Sequence, residues 1–124
     1  MKSIILKAGT EQEFFRRGKD LSRLADAAKA LPEELTISFE DPAELLRLLT
    51  AARLDVLRSV KDVPGSITVI AERLRRDRSA VKRDVDQLAV AGLVTVEAIA
   101  LPGHGRMKEV RAAARQFRLE ALVV

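Results

Sequence analysis

Residues 66–94 read SITVIAERLRRDRSAVKRDVDQLAVAGLV: two short amphipathic helices, a tight connection and the start of a strand. Ser66 is placed to cap the first helix, because its hydroxyl can accept from a backbone N–H one turn ahead that has no partner within the helix. Ile67, Ile70, Ala71 and Leu74 then recur at helical spacing and define one buried face. Asp77 caps the second helix in the same way, with Val81, Val85 and Leu88 as its apolar stripe. Gly92 ends it with a residue that tolerates positive φ. Two such helices joined by about three or four residues predict a helix-turn-helix unit.

With that stripe turned inward, Arg78, Ser79, Lys82, Arg83, Asp86 and Gln87 are left outside, the cations gathered in the first turns. A solvated face on an ordinary core helix has the same mixed composition, so the helix alone decides nothing. The distribution also suits a helix whose N-terminal end enters the DNA major groove. There Arg and Lys can donate to guanine edges, Gln can pair with adenine, and Ser can reach a base edge or a phosphate. The next segment favours the second reading. From Leu93 the period becomes strand-like in LVTVEAIA, Pro102, Gly103 and Gly105 supply turn residues, and RMKEVR resumes as a second β-compatible run. The expectation is a hairpin with a long basic tip.

The succession RLDVLRSV, ITVIAERLRRDRSAVKRDVDQLAVAGLV and GRMKEVR resembles the winged helix-turn-helix superfamily of transcription regulators, in particular the small prokaryotic MarR and ArsR types. It is more similar still to a group classed as DNA-binding proteins in which a short N-terminal α/β segment precedes the winged domain. Some members of that group are paired with toxins as antitoxins. The resemblance covers residues 42–110 and rests on pattern, with no catalytic signature in it. It implies a duplex-DNA-binding regulator, or an antitoxin that neutralises a partner toxin and uses DNA binding for autoregulation.

Length and charge are compatible with that implication. A chain of 124 residues with 48% hydrophobic content suits one compact domain, or one domain with a small dimerising extension. The net charge is only +4, but residues 73–118 hold 11 basic and 5 acidic side chains against 11 and 12 in residues 1–72. The positive charge therefore gathers on the second helix and the hairpin, as a polyanion partner requires. Without cysteine there are no disulfides or thiolate metal sites, which fits a reducing cytosol. Ile4–Leu6 is too short for a secretory h-region, and no run approaches the roughly 18 to 20 apolar residues of a membrane span. A cytoplasmic protein is expected, with no membrane contact.

Before the winged segment, SIILKA reads as a strand, residues 11–30 as a helix opened by the Thr10/Glu13 capping box and stopped by Pro32, and residues 34–39 as a second strand. This β-α-β unit, residues 1–41, is too small to cover its own faces and should pack on the winged domain, on a second copy or on another protein; dimerisation or partner contact is expected ahead of mere core extension. Residues 42–124 form the expected winged domain. Asp41-Pro42 opens a helix carrying Leu45, Leu46, Leu48 and Leu49. Thr50 caps the next, in which Leu54, Leu57 and Val60 face the core while Arg53 and Arg58 lie outside, solvated or touching a phosphate. QFRLEALVV alternates and is expected to be a final strand that joins the hairpin sheet or pairs across a dimer.

The fold class expected is thus α+β, mainly helical. Catalysis finds no support: His104 is the sole histidine, in a Pro-Gly-His-Gly turn without a second ligand, and there is no phosphate loop and no Gly-rich nucleotide fingerprint. No enzyme activity, metal or cofactor is called for. With no Trp or Tyr to stack unpaired bases, duplex DNA is the better polyanion. A dimer would place two reading helices in successive major grooves, roughly 34 Å apart. Ser79, Lys82, Arg83 and Gln87 are the base-edge candidates. Ser66, Thr68, Arg78, Arg106 and Lys108 are the phosphate candidates, with His104 reaching sugar or phosphate from the hairpin tip.

Overall fold

The computed structural model describes residues 31–103 and 105–124 with their side chains, and residues 3–7 as backbone. The helix expected over residues 11–30 and the residue His104 lie outside the described residues. In chain order the elements are β1 (Ser3–Lys7), β2 (Glu34–Phe39), α1 (Pro42–Leu48), α2 (Ala51–Asp62), α3 (Ile67–Leu74), α4 (Arg78–Val90), β3 (Val94–Leu101), β4 (Gly105–Ala112) and β5 (Gln116–Ala121).

Each described helix starts where a short polar side chain can satisfy its first amides. Asp41 accepts from the Ala43 N–H at 2.9 Å with Pro42 at the first helical position, Thr50 from Arg53 at 3.2 Å, and Ser66 from Val69 at 3.1 Å. The apolar stripes then decide the packing. Val56, Leu57 and Val60 of α2, Ile70 and Ala71 of α3, and Val81, Val85 and Leu88 of α4 are buried together. Leu45 and Leu48 of α1 pack against this cluster, whereas Leu46 is 74% exposed. The cause is helical period: adjacent residues on a helix point in different directions, so Leu46 cannot share the face of Leu45 and Leu48.

The chain leaves α4 through Gly92 at φ 84°, and Leu93 returns an N–H to the Leu88 carbonyl at 2.9 Å. β3 and β4 pair antiparallel from Val94↔Ala112 to Leu101↔Gly105, so the arms are long and the pairing continues into the stretch expected to be a long tip. Gly103 and Gly105 take φ 77° and 75°, the conformation that makes glycine necessary there. A single residue of the α2–α3 loop extends this sheet: the Gly65 N–H donates to the Val110 carbonyl at 3.2 Å, and the Gly65 carbonyl accepts from the Val110 N–H at 2.8 Å.

β1 and β2 run parallel, from Ser3↔Glu34 to Lys7↔Ser38. Of the two placements expected for the last strand, the one in the hairpin sheet is not found. β5 joins neither the hairpin nor, within this chain, any edge but that of β2, alongside which it runs parallel from Glu34↔Gln116 to Phe39↔Ala121. Its register puts Phe117, Leu119 and Ala121 on the face of Leu35, Ile37 and Phe39, where α1 covers them. The switch between sheets is made by Ala112, Ala113 and Ala114, all buried, with the Ala113 N–H on the Leu93 carbonyl at 2.9 Å. Leu35, Ile37 and Phe39 belong to the same buried cluster as the helices, so the two sheets share one core.

On the opposite, polar face Glu34 is the hub of the strand pair. Arg118 Nε donates to Glu34 Oε1 at 2.9 Å and Gln116 Nε2 to Oε2 at 3.0 Å. The Arg118 hydrogen bond and charge hold the Glu34 carboxyl below the ordinary carboxylate range, and Glu34 in turn raises Arg118.

Candidate nucleic-acid interface

The connection between α3 and α4 is set by backbone conformation. Arg75 takes a left-handed φ of 53°, and the Arg76 N–H reaches back to the Ala71 carbonyl at 3.0 Å, closing α3 while turning the chain sharply. Asp77 then accepts from the Ser79 and Ala80 N–H groups at 3.0 and 3.3 Å and starts α4. With Val81, Val85 and Leu88 fully buried, the rotation of α4 about its axis is fixed. Arg78, Ser79, Lys82, Arg83 and Gln87 consequently stand exposed on its outer side.

A second constraint comes from the flank of that apolar stripe. Asp84 is held between two arginines, Arg53 Nε at 3.3 Å from Oδ1 and Arg76 Nη2 at 2.7 Å from Oδ2. Arg53 also donates through Nη1 to the Arg47 and Leu48 carbonyls, both at 2.9 Å. One carboxylate on α4 thereby ties α2, the end of α1 and the α3–α4 turn together. Arg53 is thus a structural clasp, where the sequence left it outside, either solvated or touching a phosphate. The physical reason is that its fork meets two orphan carbonyls at a helix end and a half-buried carboxylate at once. The signal for this was present in the sequence, since Asp84 sits beside Val81 and Val85 at the border of the buried stripe.

The outer face of α4 is partly organised already. Arg78 Nε donates to Thr68 Oγ1 at 3.1 Å, joining the first turns of α3 and α4. Lys82 Nζ lies 2.9 Å from Asp86 Oδ2, an exposed pair one turn apart that holds little energy against a stronger anion. Arg83 is exposed and enters no ion pair among the described residues. Ser66, half-buried, spends its hydroxyl oxygen on the Val69 N–H and keeps a hydroxyl proton to donate.

One face of the hairpin is basic and the other carries both signs. Strand alternation puts Arg106 and Lys108 on the face of Val110 and Ala112, whose side chains are buried under the helices at the root of the hairpin. Beyond the last helical cover, that face carries Arg106 and Lys108 into solvent opposite Ala100 and Ala98. The other face holds Glu97 opposite Glu109, with Arg111 Nε at 2.7 Å from Glu109 Oε1. Eight of the candidates are therefore exposed on α3, α4 and the hairpin, Ser66 is half-buried at the start of α3, and His104 lies outside the described residues.

Among the described residues no group of His, Cys, Asp and Glu is arranged to hold a metal ion, and no helix is long and apolar enough to cross a membrane.

The model of the HVO_A0114 family matches residues 48–118, the span from the end of α1 into β5 and more than half of the chain. The chain belongs to the HVO_A0114 family. Among solved structures, a possible transcriptional regulator from Methanosarcina mazei Go1 is 25% identical, with a TM-score of 0.46. The match covers 52% of this chain and 56% of that one, so this chain spans little more than half of its relative's length. No curated protein matches the sequence.

Proposed function

We propose that this chain is a sequence-specific regulator of transcription that binds duplex DNA through a winged helix-turn-helix, as a dimeric repressor in the cytoplasm. In this reading α2, α3 and α4 are the three helices of the winged domain, Gly65 is the remnant of its first strand, and β3–β4 is the wing. Helix α4 enters the major groove, and the wing lies along the minor groove. Ser79, Lys82, Arg83 and Gln87 meet base edges; Ser66, Thr68, Arg78, Arg106 and Lys108 meet phosphates, with His104 at the wing tip.

The observation that carries the reading is the outer face of α4. A helix whose inner stripe is fully buried, and whose rotation is locked by Asp84, presents Arg78, Lys82 and Arg83 outward together with Ser79 and Gln87. Arg106 and Lys108 add further cations on the hairpin face that continues from the helical body. Interface cores between proteins are depleted of lysine, whereas phosphates select for this composition.

The test is an anisotropy titration of the protein on its own upstream DNA and on scrambled DNA across a salt series. A preference of about a hundredfold or more for the upstream site, with a steep salt slope, is expected. Lys82→Ala combined with Arg83→Ala abolishes that preference. Equal, weak binding to both DNAs, or unchanged binding by the double variant, overturns the reading.

A further inference from the structure

The sheet β1-β2-β5 ends, among the described residues, in β5, whose outer edge pairs with no strand. The direction of its free groups follows from one hydrogen bond. The Gln116 N–H donates to the Glu33 carbonyl at 3.1 Å, so Gln116, Arg118 and Glu120 direct their backbone groups at β2. Phe117, Leu119 and Ala121 therefore present theirs outward. Among the described residues nothing blunts this edge: β5 contains no proline, lysine or bulge, and Leu122 and Val123 run on past the end of β2, 75% and 81% exposed.

We infer that this edge is where a second copy of the chain docks, β5 against β5 antiparallel, with a two-fold axis at Leu119. A two-fold interface must be self-complementary, and this one is in both backbone and charge. Centring on Leu119 sets Leu119 against its own copy and Phe117 against Ala121 of the partner subunit, which are the residues whose N–H and C=O groups point outward. Arg118 then falls opposite Glu120 of the partner subunit, and Glu120 opposite the partner's Arg118. These are non-hydrogen-bonded positions, where cross-strand side chains approach most closely. Within one chain Arg118 uses Nε on Glu34, which leaves the rest of its guanidinium fork for the partner's carboxylate. A different strand placed here would have to reproduce that symmetric Arg-Leu-Glu order to match both charges. The same sequence supplies it automatically.

This inference deepens the dimeric reading above by giving it an interface, and it is tested on the full chain without DNA, so either can fail alone. Sedimentation equilibrium across a concentration series should show a dimer. Arg118→Glu opposes acid to acid twice across the axis, and Glu120→Arg opposes base to base twice. Each is expected to weaken dimerisation about tenfold or more. An equimolar mixture of the two variants restores both complementary pairs and should recover the dimer. Because Glu120, among the described residues, accepts a side-chain hydrogen bond from Ser38 alone, Glu120→Arg is expected to keep its fold, checked by circular dichroism. A monomeric wild-type chain, or a dimer indifferent to reversal and mixing, overturns the inference.

Discussion

Removing the Asp84 carboxylate would leave Arg53 and Arg76 facing one another across a half-buried gap, with their positive charges uncompensated. Asp84→Ala should therefore cost about 1 to 3 kcal/mol, the range for deleting one partner of a charge-assisted hydrogen bond. Urea denaturation measures it, and an unchanged midpoint would mean the clasp is ornamental. The DNA reading makes its own residue-level predictions. Gln87→Ala should lose roughly 1 to 3 kcal/mol on the preferred site and relax selectivity at one base pair. Lys108→Ala should weaken all sequences alike and lower the salt slope by about one unit. At this scale the sequence was legible only in part. Caps such as Asp77 and Ser66 are local, because donor and acceptor are two or three residues apart. The partners of Arg53 are not local: Asp84 is 31 positions away, and only the packing of α2 on α4 brings them together.

Elements were legible where a period and a cap coincide, as in α3 and α4, whose starts and buried faces agree with the residues that sequence reasoning named. Alternation in QFRLEALVV correctly marked a strand and its inner face, but alternation says nothing about which edge a strand will join. That depends on Ala112–Ala114 turning the chain away from the hairpin, a step dictated by packing with no periodic signature. The hairpin itself is anchored to the helices by the Gly65–Val110 bridge, and a side chain at Gly65 tests that anchor. A Cβ there would sit 3.2 Å from Arg73 Nη2 and 3.3 Å from Val69 Cγ1. Arg73 cannot retreat freely, since it donates to the Val63 carbonyl at 2.6 Å and the Pro64 carbonyl at 3.2 Å. Gly65→Ala is expected to destabilise by about 1 to 3 kcal/mol, as overpacking does. In an Arg73→Ala background the increment should shrink, a coupling that a double-mutant cycle reads directly.

For the molecule as a whole, the decisive contact is between strands at opposite ends of the sequence, because β2 and β5 make the described N-terminal strands and the segment after the hairpin into one sheet over a shared core. Glu34 sits at the start of that pairing and is linked to Arg118 and Gln116. Its carboxyl titrates below the ordinary value in the folded chain, so folding favours the ionised form. The sign follows from linkage: the stabilisation is fully present above the unfolded pKa of about 4.3, and is lost as the pH falls from there through the lower folded value. Glu34→Gln removes the titrating group while keeping a carbonyl oxygen for Arg118. Thermal melts of the two proteins should differ near neutral pH and converge as the pH drops below about 4. A gap between them that stays constant through that window would assign the acid sensitivity to another carboxylate.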